Sequence, residues 1–270
     1  KYTESVRKLM EGHIYHENDK SLKIFEVIAN DIVKEINSST AEAILDMKER
    51  SSNLYEHTVM VTLLSVLVGK KLKLDEQRLY NLALGCLLHD IGLRYVTIPY
   101  EGRDLTAVEP AEMFEYKKHT ILGYSALQDE TWIPQISRKM ILSHHENMEG
   151  TGFPMKQKYK ETECRIIQAC DAFDCYISGM ECKRMSVQEA LDIMIGNAGK
   201  KYDKAVVDNL VSTVAKYPVG TTVKTNVEER GVVISQTVDP ENPIIMILNT
   251  DECSERNLML EENISILGVV

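Results

Sequence analysis

Two adjacent histidines, His144-His145, are followed at once by Glu146 and then by the loop Gly150-Thr151-Gly152-Phe153-Pro154. Neutral imidazole is among the commonest protein ligands for transition metals. Successive side chains on a helix point about 100° apart, so the pair reaches one ion only if that ion sits beside the helix, between their directions. Taken alone, the pair equally fits a solvated His-His ahead of a turn. It does not stand alone. His89-Asp90 ends the apolar run Leu82-Ala83-Leu84-Gly85-Cys86-Leu87-Leu88, where neither residue belongs without a partner. His57 and His119 fall in further helical patterns, and Asp171 lies between Ala169-Cys170 and Ala172-Phe173. Each residue separately reads as a satisfied core histidine or a capping carboxylate. Together, one set per helix, they suit a bundle offering one or two ligands per helix to a common centre. The donors are too many for one tetrahedral ion, and two ions bridged by a carboxylate accommodate them. Mixed imidazole and carboxylate ligation suits iron, with manganese as the alternative, ahead of zinc.

The elements that must position these residues are mostly helical. Apolar residues recur at helical spacing over about 19–37, with a second helix expected from Thr40 to about Arg50. Residues 1 to about 16 have weak periodicity, and His13 and His16 read as surface residues. Ser51-Ser52-Asn53 precedes a strong helix over about 54–72, and another runs over about 75–91, with Gly92 as its stop. Further helices are expected at 110–127, from Trp132-Ile133-Pro134 into His144-His145, and at 162–179, 186–196 and 203–216. After Tyr217-Pro218-Val219-Gly220 the period becomes that of strands, at 221–227, 231–238, 243–248 and 264–269. The fold class is therefore mainly α: a helical lead-in (1–50), a helical body (51–216) and a small β extension (217–270).

A chain of 270 residues, 44% hydrophobic, can bury a sizeable core. Its formal net charge is -10 and it has no Lys/Arg block, which argues against polymeric nucleic acid and against a membrane-surface role. A small anionic ligand remains compatible, because bound metal ions supply local positive charge. The six cysteines form no C-x-x-C pair, as expected of reduced thiols in a cytoplasmic protein. The longest apolar run, Val59 to Val68, is far short of a membrane span. The first residue is Lys1 rather than Met, so the chain is expected to be part of a longer protein. The front helices either cover the core or pair two copies into a homodimer.

His57, then His89-Asp90-Ile91-Gly92, then Asp171 resembles the H…HD…D signature of the HD metal-dependent phosphohydrolases. With His119, His144-His145 and Gly152-Phe153-Pro154, residues 50–216 resemble the HD-GYP branch, the cyclic di-GMP phosphodiesterases, and the β tail resembles the extension that often follows this domain. The resemblance implies an HD-type helical bundle and a cyclic dinucleotide substrate. It assigns one metal to His57, His89, Asp90 and Asp171, and a second to His119, His144 and His145, with Asp90 bridging. His89 and Asp90 are then the most critical for catalysis. A hydroxide generated between the metals would open cyclic di-GMP to linear pGpG, and on to GMP. Substrate contacts are expected from Lys183, from Arg94 and from Gly152-Phe153-Pro154, a loop that would also meet a diguanylate cyclase domain.

The substrate shell departs from the pattern. Leu93 stands where the family has lysine, Met180 where it has arginine, Phe153 for the loop tyrosine and Glu149 for the loop aspartate. Asn53 replaces the glutamate of members with a third metal, so a third ion is not expected. Lost cations near the scissile phosphate would weaken binding or slow turnover. Two alternatives share these motifs: a degenerate domain serving as nucleotide receptor or protein-interaction module, and an HD hydrolase of another phosphorylated nucleotide.

Overall fold

The computed structural model describes residues 2–15, 22–39, 44–248 and 254–270. Helices α1 (Tyr2–Tyr15) and α2 (Ile24–Ser38) form the front, and α3 (Leu54–Lys71), α4 (Glu76–Leu88), α5 (Pro110–Ala126), α6 (Gln135–Ser143), α7 (Thr162–Ser178), α8 (Val187–Gly196) and α9 (Lys204–Val211) form the body. The central helix is α3, whose buried residues fall on nearly every side, as a helix enclosed by others requires. It packs against α4 and α7, while α4 also packs on α6 and α2. Polar caps fix where these helices start. The Asn53 side chain accepts from the backbone N–H groups of Tyr55 and Glu56, and Asp75 accepts from that of Arg78. Gly179, left-handed at φ 66°, ends α7.

Gly92 plays a different part from the expected helix stop. Helix α4 already ends at Leu88, and Gly92 lies in the short 3-10 turn Ile91–Tyr95. A Cβ on it would stand 1.9 Å from the His119 carbonyl oxygen and 2.6 Å from the Gly123 amide. Its missing side chain lets this turn press onto α5, and that contact brings Asp90 beside His119.

The front differs from expectation in two places. Residues 2–15 form a helix, with Val6 and Met10 buried; so narrow a stripe leaves little periodic signal. The helix expected between Thr40 and Arg50 is absent from the described residues 44–50. There Leu45 donates to the Thr213 carbonyl at 2.7 Å and accepts from Ala215 N–H at 3.1 Å, so the segment crosses the body extended and delivers Arg50 to the interior. The helix expected over 203–216 stops at Val211, where the chain turns toward that bridge.

The C-terminal residues form an antiparallel sheet of β1 (Thr222–Thr225), β2 (Arg230–Ser235), β3 (Ile244–Ile247), β4 (Ser254–Asn257) and β5 (Ile266–Val269), in the order β4-β3-β2-β1-β5. Strand β4, polar throughout as Ser-Glu-Arg-Asn, carries no apolar alternation and was not expected. The sheet has its own small core of Tyr217, Val223, Val233, Ile245, Ile247 and Leu258. No described helix is long and apolar enough to cross a membrane. Cys86, Cys164, Cys170, Cys175 and Cys182 are free thiols. The His13 side chain, His16, Thr40 and Cys253 lie outside the described residues.

Candidate metal centre

The five histidines and two aspartates named from the sequence converge at one buried place. His57 comes from the first turn of α3, His89 and His144 cap the C-termini of α4 and α6, His119 lies on α5, and Asp171 on α7. Three imidazoles are held in the same way: Nδ1 of His89, His119 and His144 donates to the carbonyl three residues earlier, of Cys86, Tyr116 and Ile141, at 2.6, 2.8 and 2.9 Å. A carbonyl can only accept, so Nδ1 carries the proton and Nε2 is turned to the centre as a donor atom for a metal.

The Nε2 atoms meet in pairs, His57 with His89 at 3.2 Å and His119 with His144 at 3.1 Å. Asp90 lies between the pairs. Its Oδ2 is 3.3 Å from His89 Nε2 and 3.6 Å from His57 Nε2, while its Oδ1 is 3.5 Å from both His119 and His144 Nε2. Asp171 Oδ1 completes the first group at 3.1 Å from His57 Nε2 and 3.6 Å from His89 Nε2. Donors sharing an ion at a typical metal–nitrogen distance lie about 3.0–3.4 Å apart; both imidazole pairs, His89–Asp90 and His57–Asp171 fall in that range, and the remaining contacts, at 3.5 and 3.6 Å, lie just beyond it. Asp90 Oδ1 is buried without a hydrogen-bond partner, and two imidazole lone pairs facing each other at 3.1 Å repel unless a cation lies between them. The donor set fits two divalent ions.

Two further residues anchor this arrangement. Asp174, fully buried one helical turn after Asp171, accepts from His57 Nδ1 at 2.7 Å. Arg50 grips the same carboxylate through Nη2 at 2.7 and 2.6 Å. The signal for Asp174 was present in the chain, since Asp171 and Asp174 share one face of an apolar helix. Nothing marked Arg50, because the segment carrying it looks helical.

His145 sits differently. Its Nδ1 is 3.7 Å from Asp171 Oδ2, and its Nε2 is 3.2 Å from Glu181 Oε1 without hydrogen-bond geometry. Its ring stacks on Phe153, centroids 4.5 Å apart at 23°. Gly152 permits this stacking, since a Cβ there would lie 2.3 Å from the His145 carbonyl oxygen. Glu146 is taken up by the same loop, accepting from Met155 N–H at 2.6 Å and Gln157 N–H at 3.1 Å, and is no ligand. Pro154 follows Phe153 through a cis peptide. Glu181, which sequence reasoning passed over because it stands in a loop beside Met180, accepts from the Tyr116 hydroxyl.

The electrostatics reflect the crowding of acids and imidazoles. Burial would lower the pKa of His57, but Asp171 and Asp174 outweigh it and raise it to about 9. His89 is likewise raised well above its ordinary value, because Asp90 and Asp171 overcome its burial. Burial would raise Asp90, yet His89, His144 and His119 hold it well below the usual carboxylate range. On the other side, burial depresses His119 to about 4 and pushes His145 far down, so these imidazoles stay neutral and available as ligands. Burial and the nearby Asp171 push Glu181 up to about 8.

A cavity of about 320 Å³ opens onto the centre, lined by His144, His145, Gly152, Phe153, Asp171 and Glu181 among others. The expected substrate cations lie elsewhere. Arg94 donates to the Met10 carbonyl at 3.3 Å, and Lys183 lines a neighbouring cleft with Ser51, Arg103 and Arg184. Leu93 and Met180 are both buried at 1% exposure.

The HD domain family model matches residues 32–206, more than half of the chain, and the chain belongs to that family. It is 28% identical over 217 residues to a cyclic di-GMP phosphodiesterase of Pseudomonas aeruginosa, covering 77% of this chain and 52% of the relative. It is 26% identical over 199 residues to the cyclic di-GMP phosphodiesterase PdeB of Borreliella burgdorferi, covering 72% of this chain and 51% of the relative. The chain thus spans about half the length of these curated relatives. Among solved structures it resembles Bd1817, an HDG"Y"P protein of Bdellovibrio bacteriovorus, with a TM-score of 0.66 and 24% identity over 77% of this chain and 69% of that one. That likeness shows the HD-type fold.

Proposed function

We propose that this chain is a metal-dependent phosphodiesterase that hydrolyses cyclic di-GMP to linear pGpG. The observation that carries the reading is the Asp90 carboxylate, whose two oxygens face two separate imidazole pairs. The names of the curated relatives supply the substrate class. His57, His89, Asp90 and Asp171 would hold one ion, and Asp90, His119, His144 and His145 the other; iron fits this mixed donor set best, with manganese as the alternative. When bound, such a pair lowers the pKa of a water and polarises a phosphoryl oxygen.

The remaining chemistry belongs to the chain. The carbonyls of Cys86, Tyr116 and Ile141 fix the imidazole tautomers, and Asp174 with Arg50 fixes His57. The apolar walls of α3, α4 and α7 keep bulk water from the ligands, and a less polarisable surround strengthens every charge interaction there. The Phe153 ring is held against His145, with the Lys117 ammonium 5.1 Å from its centroid, and a base would stack on it by displacing that side chain.

Anaerobic purification, metal analysis and chromatography after incubation with cyclic di-GMP test the proposal. About two equivalents of iron or manganese with pGpG as product support it. Metal with bound but uncleaved cyclic di-GMP would instead support a receptor, the reading favoured by the buried Leu93 and Met180.

A further inference from the structure

A cyclic dinucleotide carries two phosphodiesters. Metal ions at Asp90 would neutralise the one being cleaved, which leaves the other without a counter-charge unless the cavity wall supplies one. Leu93 and Met180 are buried, Arg94 is bonded to Met10, and Lys183 faces another cleft. Among the described residues lining the cavity, Lys201 is the one lysine or arginine.

Its setting suits a fixed cation. Lys201 lies in the turn between α8 and α9, where its N–H donates to the Asn197 carbonyl at 3.0 Å and its own carbonyl accepts from Met148 N–H at 3.0 Å. The second bond ties the turn to the loop that follows His144-His145. Gly199, at φ 75°, donates to the Tyr202 carbonyl at 2.8 Å and closes the turn. Asp203, held by Arg165 at 2.7 Å, caps α9 directly afterwards. The ammonium lies 5.4 Å from the centroid of the Tyr202 ring, and Tyr202 and Tyr176 line the same wall. No carboxylate ion pair joins Lys201 among the described residues, in contrast to Lys204 with Asp208 or Lys139 with Glu161. Lys201, a half-buried residue lining the cavity and without a carboxylate partner among the described residues, is available to an anionic ligand.

We propose that Lys201 pairs with the uncleaved phosphate of the cyclic dinucleotide and so replaces, from a different element, the cations that Leu93 and Met180 do not supply. The proposal rests on the cyclic dinucleotide phosphodiesterase reading. Lys201 acts on ligand binding rather than on bond cleavage, and the tyrosines beside it face the attached nucleoside.

The test compares the metal-loaded wild type with Lys201→Met, Lys201→Gln and Lys201→Arg, using cyclic di-GMP at low and high ionic strength. Methionine and glutamine should raise KM about tenfold with kcat little changed, flatten the dependence of KM on salt, and leave metal content as in the wild type. Arginine should restore most of the affinity. A wild-type protein that turns over cyclic di-GMP while Lys201→Met keeps its KM and salt dependence would overturn the role of Lys201 and spare the activity. A wild-type protein that neither binds nor cleaves cyclic di-GMP would remove the activity and this role with it.

Discussion

Asp174 accepts the Nδ1 proton of His57 at 2.7 Å while its other contacts come from Arg50. The carboxylate thereby orients an imidazole that faces Asp90 and Asp171, and the guanidinium gives that buried carboxylate a counter-charge. This buried relay, Arg50 to Asp174 to His57, couples the extended segment 44–50 to the centre.

Removing the charge at Asp174 tests that coupling. Asp174→Asn should retain the fold and lower metal affinity about 10- to 100-fold, read by metal titration with circular dichroism as the folding control. Unchanged affinity would show that packing alone orients His57.

Gly92 is predicted to be intolerant of even one methyl. Gly92→Ala would place Cβ 1.9 Å from the His119 carbonyl oxygen, forcing the 3-10 turn off α5 and spreading Asp90 from His119. Overpacking of this kind destabilises by about 1–3 kcal/mol, and thermal melting with metal analysis should show a lower Tm together with lost metal.

Phe153 should matter to the ligand and not to the ions. Phe153→Ala removes the ring stacked on His145 and should weaken cyclic di-GMP binding about tenfold with little change in metal content. Phe153→Tyr keeps the face and should bind as the wild type does.

Metal binding should release protons and tighten as pH rises. The carboxylates hold His57 at about 9 in place of 6.5, so below about pH 9 a metal ion must displace its proton. For the metal-free protein the sign is opposite: a raised histidine pKa contributes stability that is full below 6.5 and is lost as pH rises through about 9. Calorimetric metal titrations in buffers of different ionisation enthalpy, and metal-free melts across that range, measure the two effects separately.

The helical body was legible because its helices are long and strongly patterned, and the proposed ligands stood out as charged or imidazole groups in apolar runs. His57, His89, Asp90, His119, His144, His145 and Asp171 do come together. What escaped was whatever depends on close approach or on an irregular path. Gly92 reads as a stop when only the chain is seen, because its contact partner His119 lies on another helix. The extended crossing of residues 44–50 is enforced by Val214 and its neighbours, which override a local helical pattern. Glu181 carries no periodic signal, and Arg94 and Lys183 have the right charge but face elsewhere.

The central claim is that Asp90 joins two ions. Anomalous diffraction from crystals grown anaerobically with iron tests it most directly. Two peaks about 3.5–4 Å apart, one beside each carboxylate oxygen of Asp90, are predicted, and both should weaken in Asp90→Asn. A single peak, or two peaks that do not share Asp90, would contradict the account.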